Sequence, residues 1–456
     1  MLVQQFFVTG LAHSSYLLGG TDSCAIIDPR RDIDIYVDAA KALGMRITHI
    51  LETHLHADFI SGHMDLADKT GAAICAPKAG ACRFEHIGMA EGDRLQIDGV
   101  RISVLEVAGH TPEHIAYVVA DLERGEEPVS VFSGDTLFVG DVGRPDLFPG
   151  RATELAAKLY DNLHQKLMKL PDFCEVYPAH GAGSLCGRAM GAKRTSTIGY
   201  ERRYNAALQI RDKKEFIASL TTNMPPAPDH FARCSAINAA GPARLRTIPE
   251  PVGLTAGSFA DKARIPGTVV LDIRPVEAFG GQHIPGAWHL DYGGNFATFA
   301  GWTLPADGEI LLVADDESVV RDAAIWLKRV GIDHVTGYLD GGMHSWNAAG
   351  LPTESVPQLS PQQLHEMIRS NPGMILVDTR SAQEFDSLHI PGAKNIPAPD
   401  MRARHSELPK DEPVTLICGS GIRSSLAGSI LQRNGFKDIR NVAGGINGYI
   451  AAGFLK

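Results

Sequence analysis

The sequence contains no Cys-x-x-Cys pair, no long apolar run and no excess of basic residues. Its seven cysteines are dispersed and odd in number, which favours reduced thiols over a disulfide framework or a zinc knuckle. No uninterrupted apolar stretch is long enough to span a bilayer. The 43 lysine and arginine residues face 53 aspartate and glutamate residues, giving a formal net charge of -10, so no nucleic-acid partner is expected.

A basic start typical of a secretory signal is also missing, because the first lysine or arginine is Arg30. We therefore expect a cytoplasmic protein without a membrane partner. The length of 456 residues, with 44% hydrophobic and 21% charged residues, is typical of a globular protein of two or three domains.

A histidine-rich stretch, Glu52–His63, follows an apolar and β-prone run at 46–51. Ser61 has the features of an N-cap, so we predict a strand, a loop and then a short helix. In a locally extended loop, side chains at i and i+2 point the same way, and two imidazoles can converge on one metal ion. A single His-x-His pair is weak evidence for a metal. The candidate ligands in this loop are His54, His56 and Asp58.

Three later strand ends each place one ligand-type residue beside glycine or proline. They are His110, Asp135 and His180. Each residue taken alone is more simply explained as a turn residue. Taken together and in this order, the four segments resemble the metallo-β-lactamase superfamily over residues 1–245.

Two features within this resemblance concern the metal content. Superfamily hydrolases with two metals carry His-x-His-x-Asp-His, and Phe59 replaces the last histidine here, which favours a single metal ion. The stretch Gly134–Leu147, with its Gly-Arg-x-Asp segment, resembles the persulfide dioxygenase branch. That resemblance implies one Fe(II) per chain, with open positions for O₂ and a substrate sulfur. The implied iron ligands are His54, His110 and Asp135, and the implied residues that orient them are His56, Asp58 and His180.

Two other functions remain open at this point. A thioester hydrolase similar to glyoxalase II has the same fold and uses metal-bound hydroxide, although Phe59 counts against its second metal. A non-enzymatic sulfur carrier or redox sensor needs only Cys418. This last hypothesis predicts that replacing His54 or Asp135 leaves cellular sulfide handling unchanged.

The region after His180 is basic and then becomes rich in proline and alanine. The basic part either recognises an anionic thiol carrier, such as glutathione or coenzyme A persulfide, or forms a solvated helix face. Part of residues 222–254 is expected to be an extended linker. The basic residues are Arg188, Lys193, Arg194, Arg202 and Arg203.

The remaining sequence is an internal repeat, in which Leu271–Ala287 is echoed by Val377–Ala393. Each copy alternates short apolar strands with amphipathic helices, as in a small doubly wound α/β domain. The shared Asp-x-Arg and His-Ile-Pro-Gly-Ala segments resemble the rhodanese family. We therefore predict an α/β protein with an αββα metallo-β-lactamase sandwich at 1–245 and rhodanese domains at 255–355 and 358–456.

The second copy carries a cysteine loop after the predicted strand Val414–Ile417. Backbone N–H groups in a short glycine-containing loop, together with the next helix N-terminus, favour the thiolate that attacks sulfur. An arginine in the loop can hold thiosulfate or sulfite. A phosphatase has a similar loop, but usually with one residue more and an upstream catalytic aspartate. The predicted catalytic residues are Cys418 and Arg423, and the predicted persulfide loop adds Gly419, Ser420, Gly421, Ile422 and Ser424.

The first copy lacks this chemistry. Alignment of the copies places Ala314 at the position of Cys418 and Val319 at the position of Arg423. We expect this copy to be inactive and to pack between the active domains or bind a partner. The resemblances together imply oxidation of a low-molecular-weight persulfide by O₂ to sulfite and thiol, with Cys418 exchanging sulfur with sulfite or thiosulfate in sulfide detoxification. The direction of sulfur transfer stays open. A homo-oligomer is expected only because oligomers are common among soluble enzymes.

Overall fold

A computed structural model describes residues 1–222, 224–305 and 307–455. The chain divides into two compact units. The first unit contains residues 1–248 and the short piece 328–331, and the second contains 249–327 and the chain from Ile332 onward. No helix in the described ranges is long and apolar enough to cross a membrane.

The first unit is built on two six-stranded sheets, with strand orders β1-β2-β3-β4-β5-β6 and β12-β11-β10-β9-β8-β7. The strands of the first sheet are β1 Leu2–Val8, β2 His13–Gly19, β3 Ser23–Ile27, β4 Arg46–Leu51, β5 Ala73–Pro77 and β6 Ile87–Met89. Those of the second sheet are β7 Arg94–Ile97, β8 Val100–Glu106, β9 Ile115–Asp121, β10 Ser130–Gly134, β11 Glu175–Pro178 and β12 Ser196–Thr197.

Helices cover the outer faces of both sheets. Between the sheets, Leu18 and Leu51 pack in one apolar cluster with Val119 and Phe132. Such burial of apolar surface is the main stabilising contribution to a layered fold. The helices are α1 Asp34–Ala42, α2 His63–Thr70, α3 Ala152–Gln165, α4 Ile198–Tyr204, α5 Ala206–Gln209, α6 Lys213–Thr221 and α7 His230–Ala240. The predicted αββα sandwich is confirmed.

One local prediction in this unit was wrong. Ser61 does not cap α2, because its hydroxyl donates to Glu52 Oε1 at 2.6 Å and the cap position is Gly62. The stretch of which part was predicted to be an extended linker also contains the regular helix α7. Its proline-rich beginning, 224–228, has no regular structure, and Asn223 lies outside the described residues.

The second unit contains two five-stranded parallel sheets, ordered β13-β17-β16-β14-β15 and β18-β22-β21-β19-β20. The strands of the first are β13 Val252–Leu254, β14 Val269–Asp272, β15 Trp288–His289, β16 Ile310–Val313 and β17 Val335–Leu339. Those of the second are β18 Gln358–Leu359, β19 Ile375–Asp378, β20 Lys394–Asn395, β21 Val414–Ile417 and β22 Ile439–Val442.

In each copy, helices and strands alternate along the chain. They are α8 Ala256–Ala263, α9 Val276–Gly281, α10 Phe296–Thr303, α11 Glu317–Arg329 and α12 Gly342–Ala348, then α13 Pro361–Ser370, α14 Ala382–Ser387, α15 Met401–Arg404, α16 Ile422–Arg433 and α17 Gly445–Ala451. The identical strand order shows that the sequence repeat is a repeat of a whole α/β domain, as predicted.

Candidate functional site

The histidine and aspartate residues that the sequence singled out come together at one end of the two sheets. The loop after β4 carries His54, and the segments after β8, β10 and β11 carry His110, Asp135 and His180. All four side chains are buried. Strand ends from different sheets thus deliver ligand-type groups to one small volume.

The ligand atoms of His54, His110 and Asp135 lie within 4.8 Å of one another. Asp135 Oδ2 is 3.8 Å from His54 Nε2 and 3.4 Å from His110 Nε2. Both Nε2 atoms are buried and have no hydrogen-bond partner among the described residues. Two imidazoles and one carboxylate that converge in this way fit a single metal ion.

The other ring nitrogen of each histidine is fixed by an oxygen acceptor. His110 Nδ1 donates to the carbonyl oxygen of Arg144 at 2.8 Å. The Thr53 hydroxyl donates to Asp28 Oδ2 and therefore accepts from His54 Nδ1, at 2.9 Å. These two bonds leave the lone pairs on the Nε2 atoms, where a metal would need them.

Burial lowers the pKa of both His54 and His110, and neighbouring histidines lower the pKa of His54 further. Both rings are therefore neutral near pH 7, which metal binding requires. Burial by itself raises the pKa of Asp135, but His180, through its charge and its hydrogen bond, holds that pKa below the ordinary value. The carboxylate is therefore ionised.

His180 connects the central carboxylate to Asp58. Its Nδ1 is 2.8 Å from Asp135 Oδ1, and its Nε2 is 2.8 Å from Asp58 Oδ2. Burial opposes the charged form, but the two carboxylates raise the pKa of His180 well above its ordinary value. Asp58, His180 and Cys186 form a second group whose ligand atoms lie within 4.8 Å. Burial raises the pKa of the Cys186 thiol.

The side chain of His56 lies beside a buried acidic pair. Its Nε2 is 3.2 Å from Asp28 Oδ1 and 3.9 Å from Glu52 Oε2. Phe59 packs on His56 at 4.4 Å between ring centroids and on His13 at 4.0 Å. The position that would hold a further histidine ligand is thus filled by an apolar ring.

The Gly-Arg-x-Asp segment positions His110 through its backbone. A side chain on Gly143 would place its Cβ 2.0 Å from the carbonyl oxygen of Asp135, so this position requires glycine. Arg144 is buried, and its guanidinium is held by both carboxylate oxygens of Asp146 at 2.6 and 2.7 Å. This arrangement holds the Arg144 carbonyl that accepts from His110.

Sequence reasoning missed three residues of this region. The ring of His13 packs on that of Phe59. His114 Nε2 accepts a hydrogen bond from the backbone N–H of Asp135 at 2.9 Å. Asn238 on α7 donates to the carbonyls of His56 and Phe59, each at 2.8 Å. His114 lies four residues after His110, which is the one sequence signal for it. His13 and Asn238 are far away in the chain and carry no motif.

Several side chains of the basic stretch interact with other residues of the first unit. Arg188 Nη1 donates to Ser219 O at 2.6 Å, and Arg202 pairs with Asp172. Lys193 lies over the ring of Tyr200, Arg194 lies over that of Phe7, and Arg203 is exposed. Recognition of an anionic thiol carrier by this stretch stays a prediction.

In the second unit, Cys418 directly follows β21 and is the first residue of a tight loop that leads into α16. The N–H of Gly421 and the hydroxyl of Ser424 both point to Cys418 Sγ, at 3.1 and 3.3 Å. The backbone of Gly421 has a φ of 107°, which glycine adopts readily. Both groups are hydrogen-bond donors, of the kind that a sulfur nucleophile accepts from. Gly419 is partly buried, and Ser420 and Ile422 are exposed at this loop.

Arg423 is held beside this loop by a carboxylate that the sequence analysis did not single out. Its Nη1 and Nη2 atoms donate to Glu384 Oε2 and Oε1, at 2.6 and 2.8 Å. In the first copy, Ala314 follows β16 as Cys418 follows β21. Gly342 and Gly445 approach the carbonyl oxygens of Ala314 and Cys418 in the same way, which supports this alignment of the copies.

Family comparisons agree with this organisation. Residues 8–180 match the metallo-β-lactamase superfamily, and residues 255–349 and 360–452 each match the rhodanese-like domain. The chain is 30% identical over 230 residues to a hydroxyacylglutathione hydrolase of Parasynechococcus marenigrum, covering 49% of this chain and 88% of that protein. It is 29% identical over 255 residues to the mitochondrial persulfide dioxygenase of Mus musculus, covering 54% and 88%.

A solved structure extends the similarity further along the chain. A metallo-β-lactamase from Staphylococcus aureus is 33% identical, with a TM-score of 0.67, and the match covers 74% of this chain and 98% of that one. The chain therefore belongs to the metallo-β-lactamase superfamily and carries two rhodanese-like domains after its metallo-β-lactamase domain.

Proposed function

We propose that the first unit is a persulfide dioxygenase that holds one Fe(II) through His54, His110 and Asp135. The observation that carries this proposal is the convergence of three buried ligand groups beside a position that Phe59 fills. Two histidines and one carboxylate leave open coordination positions, as oxygenases of this kind require. Similarity to a murine persulfide dioxygenase supports the same activity.

The residues of the chain have separate tasks in this reaction. Thr53 and the Arg144 carbonyl keep the two histidine rings in the tautomer that binds metal. His180 keeps Asp135 ionised and in place. When bound, the Fe(II) would bring O₂ and the terminal sulfur of the persulfide together. Overall, one persulfide, one O₂ and one water give one thiol, one sulfite and two protons.

The second rhodanese-like domain is proposed to exchange sulfur with the products of the first unit. Cys418, at whose sulfur the Gly421 N–H and the Ser424 hydroxyl are directed, attacks the outer sulfur of a persulfide as a thiolate. The S–S bond of the donor breaks, its thiol leaves, and Cys418 becomes an enzyme persulfide. Passing that sulfur to sulfite forms thiosulfate, and the reverse reaction consumes thiosulfate. The first rhodanese-like domain, with Ala314 in place of the cysteine, is proposed to be inactive.

The proposed domains are 1–245, 255–355 and 358–456. The family matches at 8–180, 255–349 and 360–452 lie within these limits and support them. The proposed substrate is glutathione persulfide or coenzyme A persulfide.

Oxygen uptake tests the dioxygenase half. Iron-loaded protein is expected to consume O₂ with glutathione persulfide, whereas His54→Ala consumes none. His63→Ala is the matched control, because His63 is buried against Glu52 outside the three-ligand group. Equal uptake by the wild-type protein and His54→Ala would contradict the proposal.

Product analysis tests the sulfurtransferase half. Wild-type protein supplied with excess persulfide is expected to accumulate thiosulfate, and Cys418→Ser to consume O₂ at the same rate but release sulfite. Thiosulfate formation by Cys418→Ser would show that Cys418 does not carry the sulfur.

A thioester hydrolase is the second candidate. Asp58, His180 and Cys186 lie close enough to hold a second metal ion, and several relatives are named hydroxyacylglutathione hydrolases. Zinc-loaded protein would then hydrolyse S-lactoylglutathione without O₂. Phe59 argues against this candidate, because it removes one ligand from the neighbourhood of Asp58. Hydrolysis faster than persulfide oxidation would make it the better function.

A further inference from the structure

The ion pair between Arg423 and Glu384 lies directly beside the cysteine loop. The guanidinium uses two of its five N–H donors for the carboxylate, one on each terminal nitrogen. Arg423 Nη2 also lies 3.2 Å from the position that a Cβ on Gly419 would take. The arginine is thus held by Glu384 beside the loop that carries Cys418, and it keeps further N–H donors for an anion.

Glu384 is itself fixed in place by the start of α14. Ser381 caps this helix, and its backbone N–H and hydroxyl both donate to Glu384 Oε2, at 3.0 and 2.9 Å. The Ser381 hydroxyl in turn accepts from the backbone N–H of Glu384. The hydrogen bond from Arg423 lowers the pKa of Glu384 to about 2, so the carboxylate stays charged at all working pH values.

The first rhodanese-like domain offers an internal comparison. Ala278 occupies the position that corresponds to Glu384, and Val319 occupies that of Arg423. Helix α9 begins after Pro275 and has no side-chain cap, whereas α14 has the full capping box. The Asp-x-Arg ion pair remains in both copies, at Asp272–Arg274 and Asp378–Arg380. The pair beside the cysteine loop is therefore lost together with the nucleophile, while the structural pair is kept.

We propose that Glu384 is a positioning residue for sulfur transfer, which holds the Arg423 guanidinium in the orientation that binds an anionic sulfur compound over Cys418. Because the carboxylate cancels the charge of the arginine, recognition depends on directed N–H donors rather than on net charge. This inference rests on the proposed sulfurtransferase function.

The step it serves is a displacement at sulfur. The Cys418 thiolate attacks the outer sulfur of thiosulfate, an Sγ–S bond forms, and the bond to the sulfonate sulfur breaks. The electron pair leaves with sulfite, and Cys418 becomes a persulfide anion. Arg423 donates to the sulfonate oxygens, on which the leaving charge grows.

Steady-state transfer from thiosulfate to cyanide tests the proposal. Glu384→Gln is expected to lower kcat/KM about tenfold, the size of effect given by loss of a charge-assisted bidentate pair. Arg423→Lys should lose a similar factor, and the double variant should lose little more, because both changes break the same pair. Glu407→Gln is the matched control, since Glu407 pairs with Arg404 through Nε and Nη2 at 2.7 and 3.2 Å on the surface.

A second measurement separates positioning from a general structural effect. Alkylation of Cys418 by iodoacetate and by iodoacetamide, followed by peptide mass spectrometry, compares an anionic with a neutral reagent. Glu384→Gln should slow iodoacetate much more than iodoacetamide, whereas a disordered loop would change both rates together. Wild-type rates in Glu384→Gln, or multiplying losses in the double variant, would overturn the inference. Failure of the wild-type protein to form a Cys418 persulfide from thiosulfate would instead overturn the proposed sulfurtransferase.

Discussion

The hydroxyl of Thr53 orients the neighbouring side chain of His54, one of the three proposed iron ligands. The Thr53 hydroxyl lies between Asp28 and His54 Nδ1 and so fixes the tautomer of the ring. Thr53→Val removes this acceptor while keeping the shape of the side chain. We expect iron affinity to fall about 10- to 100-fold, as for other residues that orient metal ligands, measured by iron titration against a competing chelator.

A matched control for this variant lies five residues earlier in the chain. Thr48 Oγ1 is 3.0 Å from His49 Nδ1, in the same relation but away from the ligand group. Thr48→Val should leave iron affinity unchanged. An equal loss in both variants would mean that the effect is not specific to His54.

Gly143 sets the distance between the Asp135 and His110 segments. Because glycine has no side chain, the carbonyl oxygen of Asp135 can lie 2.0 Å from the position that a Cβ on residue 143 would take. Gly143→Ala should lower the free energy of unfolding by about 1–3 kcal/mol, as overpacking does, and should also weaken iron binding. Gly125→Ala, which has no atom within 4 Å of the new Cβ, should change stability by less than about 0.5 kcal/mol in thermal unfolding. Equal stabilities of the two variants would contradict this account.

At the scale of the element, helix α7 supports the histidine loop from outside it. Asn238 is buried and binds the carbonyls of His56 and Phe59 and the N–H of Ser61. Asn238→Ala leaves these groups unpaired, and we expect a loss of about 1–3 kcal/mol of stability with faster hydrogen exchange across 54–63. Unchanged exchange in that loop would show that α7 does not hold it.

Helix α14 gives a prediction on pH. Pairing lowers the pKa of Glu384 from 4.5 to about 2, so its contribution to stability is present above pH 4.5 and is lost as the pH falls through about 2. The difference in stability between wild type and Glu384→Gln should therefore shrink on acidification over this range, in urea unfolding experiments. A difference that stays constant or grows would contradict the assigned pairing.

The reach of sequence reasoning differed between these elements. His54, His110, Asp135 and His180 could be found because each follows a strand in a short motif. Asn238 and Glu384 could not, because their partners are far away in the chain and no local pattern marks a single amide or carboxylate as a positioning group. Helix α7 was not predicted, because the proline and alanine near 225 and 250 gave its stretch little apolar periodicity.

At the scale of the whole molecule, metal removal should act on one unit. A ligand that binds only the folded state stabilises it by about 2.7 kcal/mol at 100 times its dissociation constant. Chelation should therefore speed hydrogen exchange in peptides from residues 1–222 and leave those from 358–455 unchanged, as read by mass spectrometry. An equal loss of protection from hydrogen exchange in both regions would contradict a metal centre confined to the first unit.

The two candidate activities differ most clearly in the stoichiometry of O₂. An oxygen electrode and a thiol assay on the same iron-loaded sample, with glutathione persulfide in limiting amount, measure this ratio directly. The proposed function predicts one O₂ consumed for each persulfide in Cys418→Ser and no uptake in His54→Ala. The wild-type protein should consume as little as one O₂ for two persulfides, because Cys418 passes the sulfur of a second persulfide to the sulfite. Absence of O₂ uptake with glutathione persulfide, together with release of thiol from S-lactoylglutathione, would contradict the dioxygenase and favour hydrolysis at the same site.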